Sequence, residues 1–450
     1  MKLTSRAGLV LAVLLLLMTA CAPEQPAGQQ LPETPVTTEA APAEEPAEEP
    51  ATTAPAPAET EAAGEVPEEI VIGIPASLTG QFEALGRQGL DGLQMFADWV
   101  NEERGGVDVG GTSVPVRIVF GDDRSDKDTA LRLFEKLVGD GAHFMFASYS
   151  SSLTLAQAPL AEQLDVVTMA WGASSDEIWQ QGFTRVVGVY TPASQYDHTL
   201  LEFVTEADPA AQTISIAYKE DPFTVAEAEG ARAKAEELGM EVAFYDRYPV
   251  QATDLSPILT QAWGPQPDVL LVVAHFQDGA LAARQMQSLG IDPMASSFGS
   301  GAATTDWWDE LGEAAQGTFG PAQWESGQSV DPAAFEEENW VGPQVTPSDW
   351  AQQYEERFGY APDYRGGLSF ASGLALVAAI EQAGSIETEA VIEAFKELDI
   401  QSLGGGFRVD PETLIQVGHD MLTIQWQDGD KVIVAPEEAA TGPAIYPANQ

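Results

Sequence analysis

Ile70-Val71-Ile72-Gly73-Ile74 is a β-branched run with no polar face, the pattern of a strand buried on both sides. Behind it, Leu90, Leu93, Phe96, Ala97 and Val100 recur at helical spacing, and Gly105-Gly106 ends the helix. Val116–Phe120 reads as the next strand. Ser125 reads as the N-cap of a helix with Leu131, Phe134 and Val138 on one face. His143–Ala147 and Val166–Met169 read as a third and a fourth strand. Beyond residue 200 the pattern predicts strands at Thr213–Tyr218, Val242–Tyr245 and Val269–Ala274. It predicts helices at Val225–Leu238, Leu255–Trp263 and Gly279–Leu289. Near-continuous apolar strands alternating with helices imply parallel sheets covered on both faces. Two such blocks, divided near residue 193, make the expected fold class α/β with two doubly wound lobes. Gly366–Ala383 and Glu387–Leu398 read as further helices, and Met421–Trp426 with Lys431–Val434 around Asp428-Gly429 as a β-hairpin. No internal repeat is legible.

The chain upstream is of a different kind. Lys2 and Arg6 form a basic head, Leu9–Met18 an apolar core, and Thr19-Ala20 the small residues before a cleavage point. Ten apolar residues are too few to cross a bilayer core of about 30 Å, so residues 1–21 read as a secretory signal. Leu17-Met18-Thr19-Ala20-Cys21 resembles a bacterial lipobox, with Met18 where Leu is usual. That resemblance implies that Cys21 is lipidated and anchors the mature protein to a membrane; a plain signal with an incidental cysteine is the alternative. Cys21 is the only cysteine, so lipidation leaves no thiol for a disulfide, a metal cluster or nucleophilic catalysis. Residues 22–67 are almost entirely Pro, Ala, Glu and Thr. Such a segment cannot bury enough apolar surface to order itself and reads as a disordered linker, a coil of roughly 40 Å. The roughly 380 residues that follow suffice for a large core divided into two lobes.

The net charge of −50 argues against nucleic-acid partners and against anionic lipid heads. The four histidines, His143, His198, His275 and His419, are far apart and lack metal-ligand spacing. His143 and His275 sit in or beside buried strands and read as hydrogen-bonded core residues. No G-x-S-x-G elbow, P-loop or dinucleotide fingerprint is present, so neither an enzyme, a cofactor nor a metal is expected.

Ile72-Gly73-Ile74 leads into Ser77-Leu78-Thr79-Gly80, Gly86, Gly92, Asn101 and Gly105-Gly106. Asp122-Asp123-Arg124-Ser125-Asp126, Tyr149-Ser150-Ser151 and Gly172-Ala173-Ser174-Ser175 follow. In this order and spacing they resemble the type I solute-binding proteins of ABC transporters, in particular the leucine/isoleucine/valine-binding group. The likeness extends to His419–Trp426, Asp428-Gly429 and Pro436–Pro447. It implies two lobes joined by three crossovers, 68–193 with 323–408 and 194–322 with 409–450, closing over a small molecule. It also implies delivery to an ABC permease, by a monomer held outside the cytoplasm; a sensory module of the same fold is the alternative.

In open α/β sheets ligands sit beyond the carboxyl ends of the strands, where Tyr149, Ser150, Ser151 and Ala173, Ser174, Ser175 fall. Turns leading into helices offer free backbone N–H groups to an anion. By resemblance these positions receive the α-carboxylate of the ligand; Ser151 and Ser174 capping their helices is the alternative. Phe223 and Phe276 match aromatic positions of the second lobe, and Leu85 and Trp171 match pocket positions of the first. One departure matters. Where leucine-type members carry a glutamate for the ligand's ammonium, this chain has Phe298-Gly299-Ser300-Gly301-Ala302, with Gly301 at a pocket position and no acid. Either Asp221, Asp278 or Asp306 substitutes, or the solute is an amide, a urea-like molecule or a carboxylate without an amine.

Overall fold

The computed structural model describes residues 66–449; the leader at 1–21 with Cys21, and the linker as far as residue 65, lie outside the described residues. The first block runs β1 (Ile70–Ala76), α1 (Glu83–Asp98), a hairpin of β2 (Val107–Val109) and β3 (Thr112–Val114), then β4 (Val116–Asp122). It continues through α2 (Lys127–Gly139), β5 (Phe144–Phe146), α3 (Ser151–Gln163), β6 (Thr168–Ala170), α4 (Glu177–Gln180) and β7 (Val186–Gly188). The second block begins with α5 (His198–Ala207), β8 (Thr213–Lys219), α6 (Pro222–Glu237), β9 (Glu241–Tyr248) and α7 (Ser256–Trp263). β10 (Val269–Val273), α8 (Phe276–Leu289), β11 (Ala295–Ser297), α9 (Trp307–Leu311) and β12 (Phe319–Ala322) complete it. Helices α10 (Pro347–Phe358), α11 (Tyr364–Ala383) and α12 (Thr388–Glu397) come next. The hairpins β13–β14 (Asp399–Ser402, Gly405–Arg408) and β15–β16 (Leu422–Gln427, Asp430–Ala435) follow.

Two sheets result. One is wholly parallel, in the order β4-β1-β5-β6-β7; the other is β16-β15-β12-β11-β10-β8-β9, antiparallel only at β15 and β16. Read along the chain, the five parallel strands of each sheet have the same doubly wound order, second-first-third-fourth-fifth. The sequence, which carries no legible repeat, thus folds into the same strand order twice. Each sheet reverses winding at one place, between β1 and β5 and between β8 and β10, and these are the positions where a ligand crevice opens.

One local expectation is corrected. Ser125 is not an N-cap: its φ is +53°, and the cap of α2 is Asp126, whose carboxylate accepts from the Thr129 N–H at 2.9 Å. Ser125 instead receives the Phe82 N–H and donates to the Thr79 carbonyl, pinning the loop after β1. The hairpin β2–β3 and the three-residue β7 are too short to leave a pattern in the sequence. The hairpin β15–β16 turns where expected, with left-handed φ at both Asp428 and Gly429.

The buried helix α11 packs on α1, and the two backbones come close: a Cβ at Gly92 would lie 2.2 Å from the Gly366 carbonyl oxygen. The chain passes between the sheets three times, after β7, after β12 and before β15. One residue or two from each passage bond together. The Thr191 N–H donates to Gln323 Oε1 (3.0 Å), and Gln323 Nε2 donates to the Thr191 carbonyl (3.0 Å). Gln416 Nε2 donates to Thr191 Oγ1 (3.0 Å), and His419 Nε2 meets Gln323 Oε1 (3.2 Å). The last passage falls later than the expected boundary at 409. The Leu414 carbonyl accepts from the Gly188 N–H and Ile415 packs with Val186 and Trp179, so residues up to Gln416 stay with the first sheet.

Candidate functional site

The two winding reversals face each other. Tyr149, Ser150, Ser151, Gly172 and Ser174, from the loops after β5 and β6, meet Phe223, His275 and Ser300, from the ends of β8, β10 and β11, around one cavity. Tyr190 and Tyr196 from the first passage and Tyr364 at the start of α11 close it. The space left among them would take about one water molecule. A second pocket, of about 280 Å³, adjoins it on the far side of His275 and is lined by Phe82, Leu85, Lys219, Phe276 and Asp278 among others.

The expected residues divide between these spaces. Tyr149, Ser150, Ser151, Ser174 and Phe223 line the inner cavity, whereas Leu85 and Phe276 line the outer pocket. Phe276 packs on Trp307, with ring centroids 6.4 Å apart. Trp171 is a core residue: it is wholly buried, and its Nε1 donates to the Ala147 carbonyl at 2.7 Å. Ala173 lies in the core beside Ile178 and Val186. Gly301 presents backbone against the His275 carbonyl and does not line the cavity.

The serines are engaged differently from either sequence reading. Ser151 Oγ accepts from both the Ser174 and Ser175 N–H groups at 3.1 Å, so these amides are not bare. Neither Ser151 nor Ser174 caps a helix: Ser151 lies inside the first turn of α3, and α4 starts beyond Ser174 with Asp176 at its N-cap. Ser174 Oγ donates to Tyr196 Oη (3.1 Å). Ser175 Oγ donates to the Pro222 carbonyl at 2.8 Å, a bond from the first block to the second.

Sequence reasoning passed over the groups that decide the polarity of the wall. Tyr190 Oη, His275 Nδ1 and Ser300 Oγ are buried and have no hydrogen-bond partner. Burial pushes the Tyr190 hydroxyl far above its usual range, so it stays protonated. His275 is therefore not a satisfied core histidine, in contrast to His143, whose Nδ1 accepts from the Val71 N–H. Arg365, with no exposed surface, pairs with Asp363 (Nη1–Oδ2 2.7 Å) and donates from Nε to Tyr149 Oη at 3.2 Å. Its guanidinium lies 4.3 Å from the centre of the Tyr364 ring, a cation–π contact.

Among the described residues, no carboxylate lines the cavity. Asp221 spends Oδ1 on the Phe223 and Thr224 N–H groups at the start of α6, and its Oδ2 lies 3.2 Å from His275 Nε2. Burial raises the Asp221 carboxyl, but the neighbouring His275 and the Thr224 N–H outweigh it and hold the group below its usual range. Asp278 is paired with Lys219 at 2.6 Å, and Asp306 is exposed, outside the cavity. Behind the wall Asp197 and Glu227 are fully buried neighbours. Burial pushes Asp197 up to about 6, and burial with the adjacent Asp197 carboxyl pushes Glu227 further, so the pair retains a proton.

An interlobe cavity at the meeting of two winding reversals defines a two-lobed binding protein, and comparison with known proteins agrees. The family model for periplasmic binding proteins matches residues 69–431, and the chain belongs to that family. It is 24% identical over 398 residues to Leu/Ile/Val-binding protein homolog 7 of Brucella abortus, across 84% of this chain and 94% of that one. The leucine-binding protein LivK of Thermotoga maritima superposes with a TM-score of 0.70 at 21% identity, over 81% of this chain and 98% of that structure. The branched-chain amino acid substrate-binding protein LivJ of Streptococcus pneumoniae, in complex with isoleucine, gives 0.69 at 17% identity, over 82% and 100%. The fold is that of type I periplasmic binding proteins.

Proposed function

We propose that this chain is a lipid-anchored extracytoplasmic binding protein that captures an amino acid, or a related amide or carboxylate, between two lobes and presents it to an ABC permease. One observation carries the reading. Three buried polar atoms, Tyr190 Oη, His275 Nδ1 and Ser300 Oγ, border a single interlobe cavity without a partner among the described residues. An orphaned buried polar group costs about 1–3 kcal/mol, so three at one place are supported by a ligand that satisfies them. The cavity as closed is too small for such a solute, so the lobes part to admit it and close again on binding. The lobes are residues 68–193 with 323–416, and 194–322 with 417–450, turning about the Thr191–Gln323–Gln416 network. The protein acts as a monomer without cofactor or catalysis, with Cys21 as its anchor.

Scattering and thermal shift on the mature chain test this reading together. A panel of amino acids, amides and carboxylates is expected to yield at least one compound that raises the melting point and shrinks the radius of gyration. A bound compound with no compaction would exclude capture by closure. Cys21→Ser is expected to move the protein from the membrane fraction to the soluble extracytoplasmic fraction.

A further inference from the structure

We infer that His275, oriented by Asp221, is the acceptor through which the second lobe recognises its solute, and that the solute presents a hydrogen-bond donor there: an ammonium, an amide N–H or a hydroxyl. The inference rests on the proposed function and narrows the class of molecule. His275 follows β10 at a winding reversal, and its ring borders both the inner cavity and the outer pocket. One face meets Phe223, with ring centroids 5.3 Å apart, and the other side meets Phe82 at 5.8 Å. The ring is thereby held in place.

Which nitrogen bears the proton follows from its partner. The carboxylate of Asp221 can only accept, so Nε2 is the N–H, donating across 3.2 Å to Oδ2. A neutral imidazole then has Nδ1 as a bare acceptor, and this is the atom left buried without a partner. Among the described residues, none of the other cavity atoms meets it in this structure. Ser300 Oγ and Tyr190 Oη are themselves unpaired, and Arg365 spends its donors on Tyr149, Asp363 and the Ser300 carbonyl.

The charges around the ring reinforce this. From β8 and α8, Lys219 is neutralised by Asp278. From α11 and the residue before it, Arg365 is neutralised by Asp363, and from α6 Glu227 shares a proton with Asp197. Asp221 is the charged group that touches the ring, and it is negative; the Asp197–Glu227 pair behind it, holding one proton, adds no positive charge. A bare carboxylate brought to Nδ1 would meet a lone pair backed by that charge, whereas a donor would be drawn to both. The chain thus lacks an acid in the Phe298–Ala302 loop, yet offers an acceptor at the adjacent strand end.

Calorimetry with matched probes tests this on the mature chain: L-leucine against 4-methylpentanoate, L-phenylalanine against 3-phenylpropanoate, and 4-hydroxybenzoate against benzoate. The donor-bearing member of whichever pair binds is expected to win by about 10- to 100-fold. Asp221→Asn keeps an oxygen for the α6 cap but turns an amide N–H₂ toward Nε2, which forces the proton onto Nδ1. That variant is expected to abolish or reverse the preference while remaining folded. Histidine-selective nitrogen labelling supplies a readout independent of affinity: the chain has four rings, and His275→Gln assigns the one concerned. In the wild type the expected spectrum has Nδ1 unprotonated, with its resonance moving on binding. Equal or tighter binding of the donorless members, or a protonated Nδ1 in the complex, would overturn the inference and leave the proposed function standing. A panel in which nothing binds would remove both.

Discussion

Arg365 Nη2 donates to the Ser300 carbonyl at 3.3 Å, joining the first turn of α11 to the loop after β11 across the gap between the lobes. The same guanidinium is paired with Asp363 two residues earlier, and neither side chain has appreciable contact with solvent. On the proposed opening of the lobes the bond to Ser300 would break and the pair with Asp363 would remain, so the cation would stay compensated in both states. Arg365→Met removes this compensation and leaves a buried carboxylate alone. The expected loss is about 3–5 kcal/mol in urea denaturation, with much of it restored in Arg365→Met/Asp363→Asn. A loss under about 1 kcal/mol for the single variant would mean that water reaches Asp363.

Tyr190 separates binding from stability. Its hydroxyl is buried and unpartnered, so Tyr190→Phe removes an unsatisfied group without leaving a hole. Stability is expected to hold or to rise by up to about 1 kcal/mol, while affinity for the captured solute falls about 3- to 10-fold. Unchanged affinity would show that the hydroxyl does not meet the solute.

The Asp197–Glu227 pair gives stability a pH dependence of unusual sign for carboxyl groups. Both groups titrate at higher pH in the folded chain than in the unfolded one, so the folded chain holds their protons more tightly. Stability is therefore lost as pH rises, for Asp197 from 3.8 to about 6 and for Glu227 from 4.5 upward. Glu227→Gln removes one titrating group and the like charge beside the other. The variant is expected to match wild type near pH 4 and to exceed it at pH 8 by about 1–3 kcal/mol in chemical denaturation. Parallel pH curves for the two proteins would refute the assignment.

Gly92 is where α1 and α11 touch through their backbones. Gly92→Ala places a methyl group 2.2 Å from the Gly366 carbonyl oxygen, and the contact is with main chain, so no side chain can swing away. The expected cost is about 1–3 kcal/mol or more, against a small gain for Gly→Ala at an unobstructed helix position. A melting point at or above that of wild type would show that the two helices can separate.

The alternation of apolar strands and helical spacings made both α/β blocks legible, because each strand buried on two faces needs an unbroken apolar run. The site was legible only in part. Tyr149, Ser150, Ser151, Ser174 and Phe223 stand at the ends of such strands, so position along the chain carried them to the cavity. Tyr190 and Tyr364 had no such signal, since they reach it from a passage between the lobes and from a helix that begins about 200 residues after the third strand, and Arg365 behind them had none either. The same limit misled the reading of His275, whose placement beside a buried strand looks identical whether its second nitrogen is satisfied or not. The sequence by itself determined what had to be buried: local periodicity decides which faces exclude water, and with them the elements and the two sheets. Only the tertiary structure decided which buried polar atoms go unpaired. Hydrogen bonding is directional and short in range, and its partners here come from segments far apart in the chain.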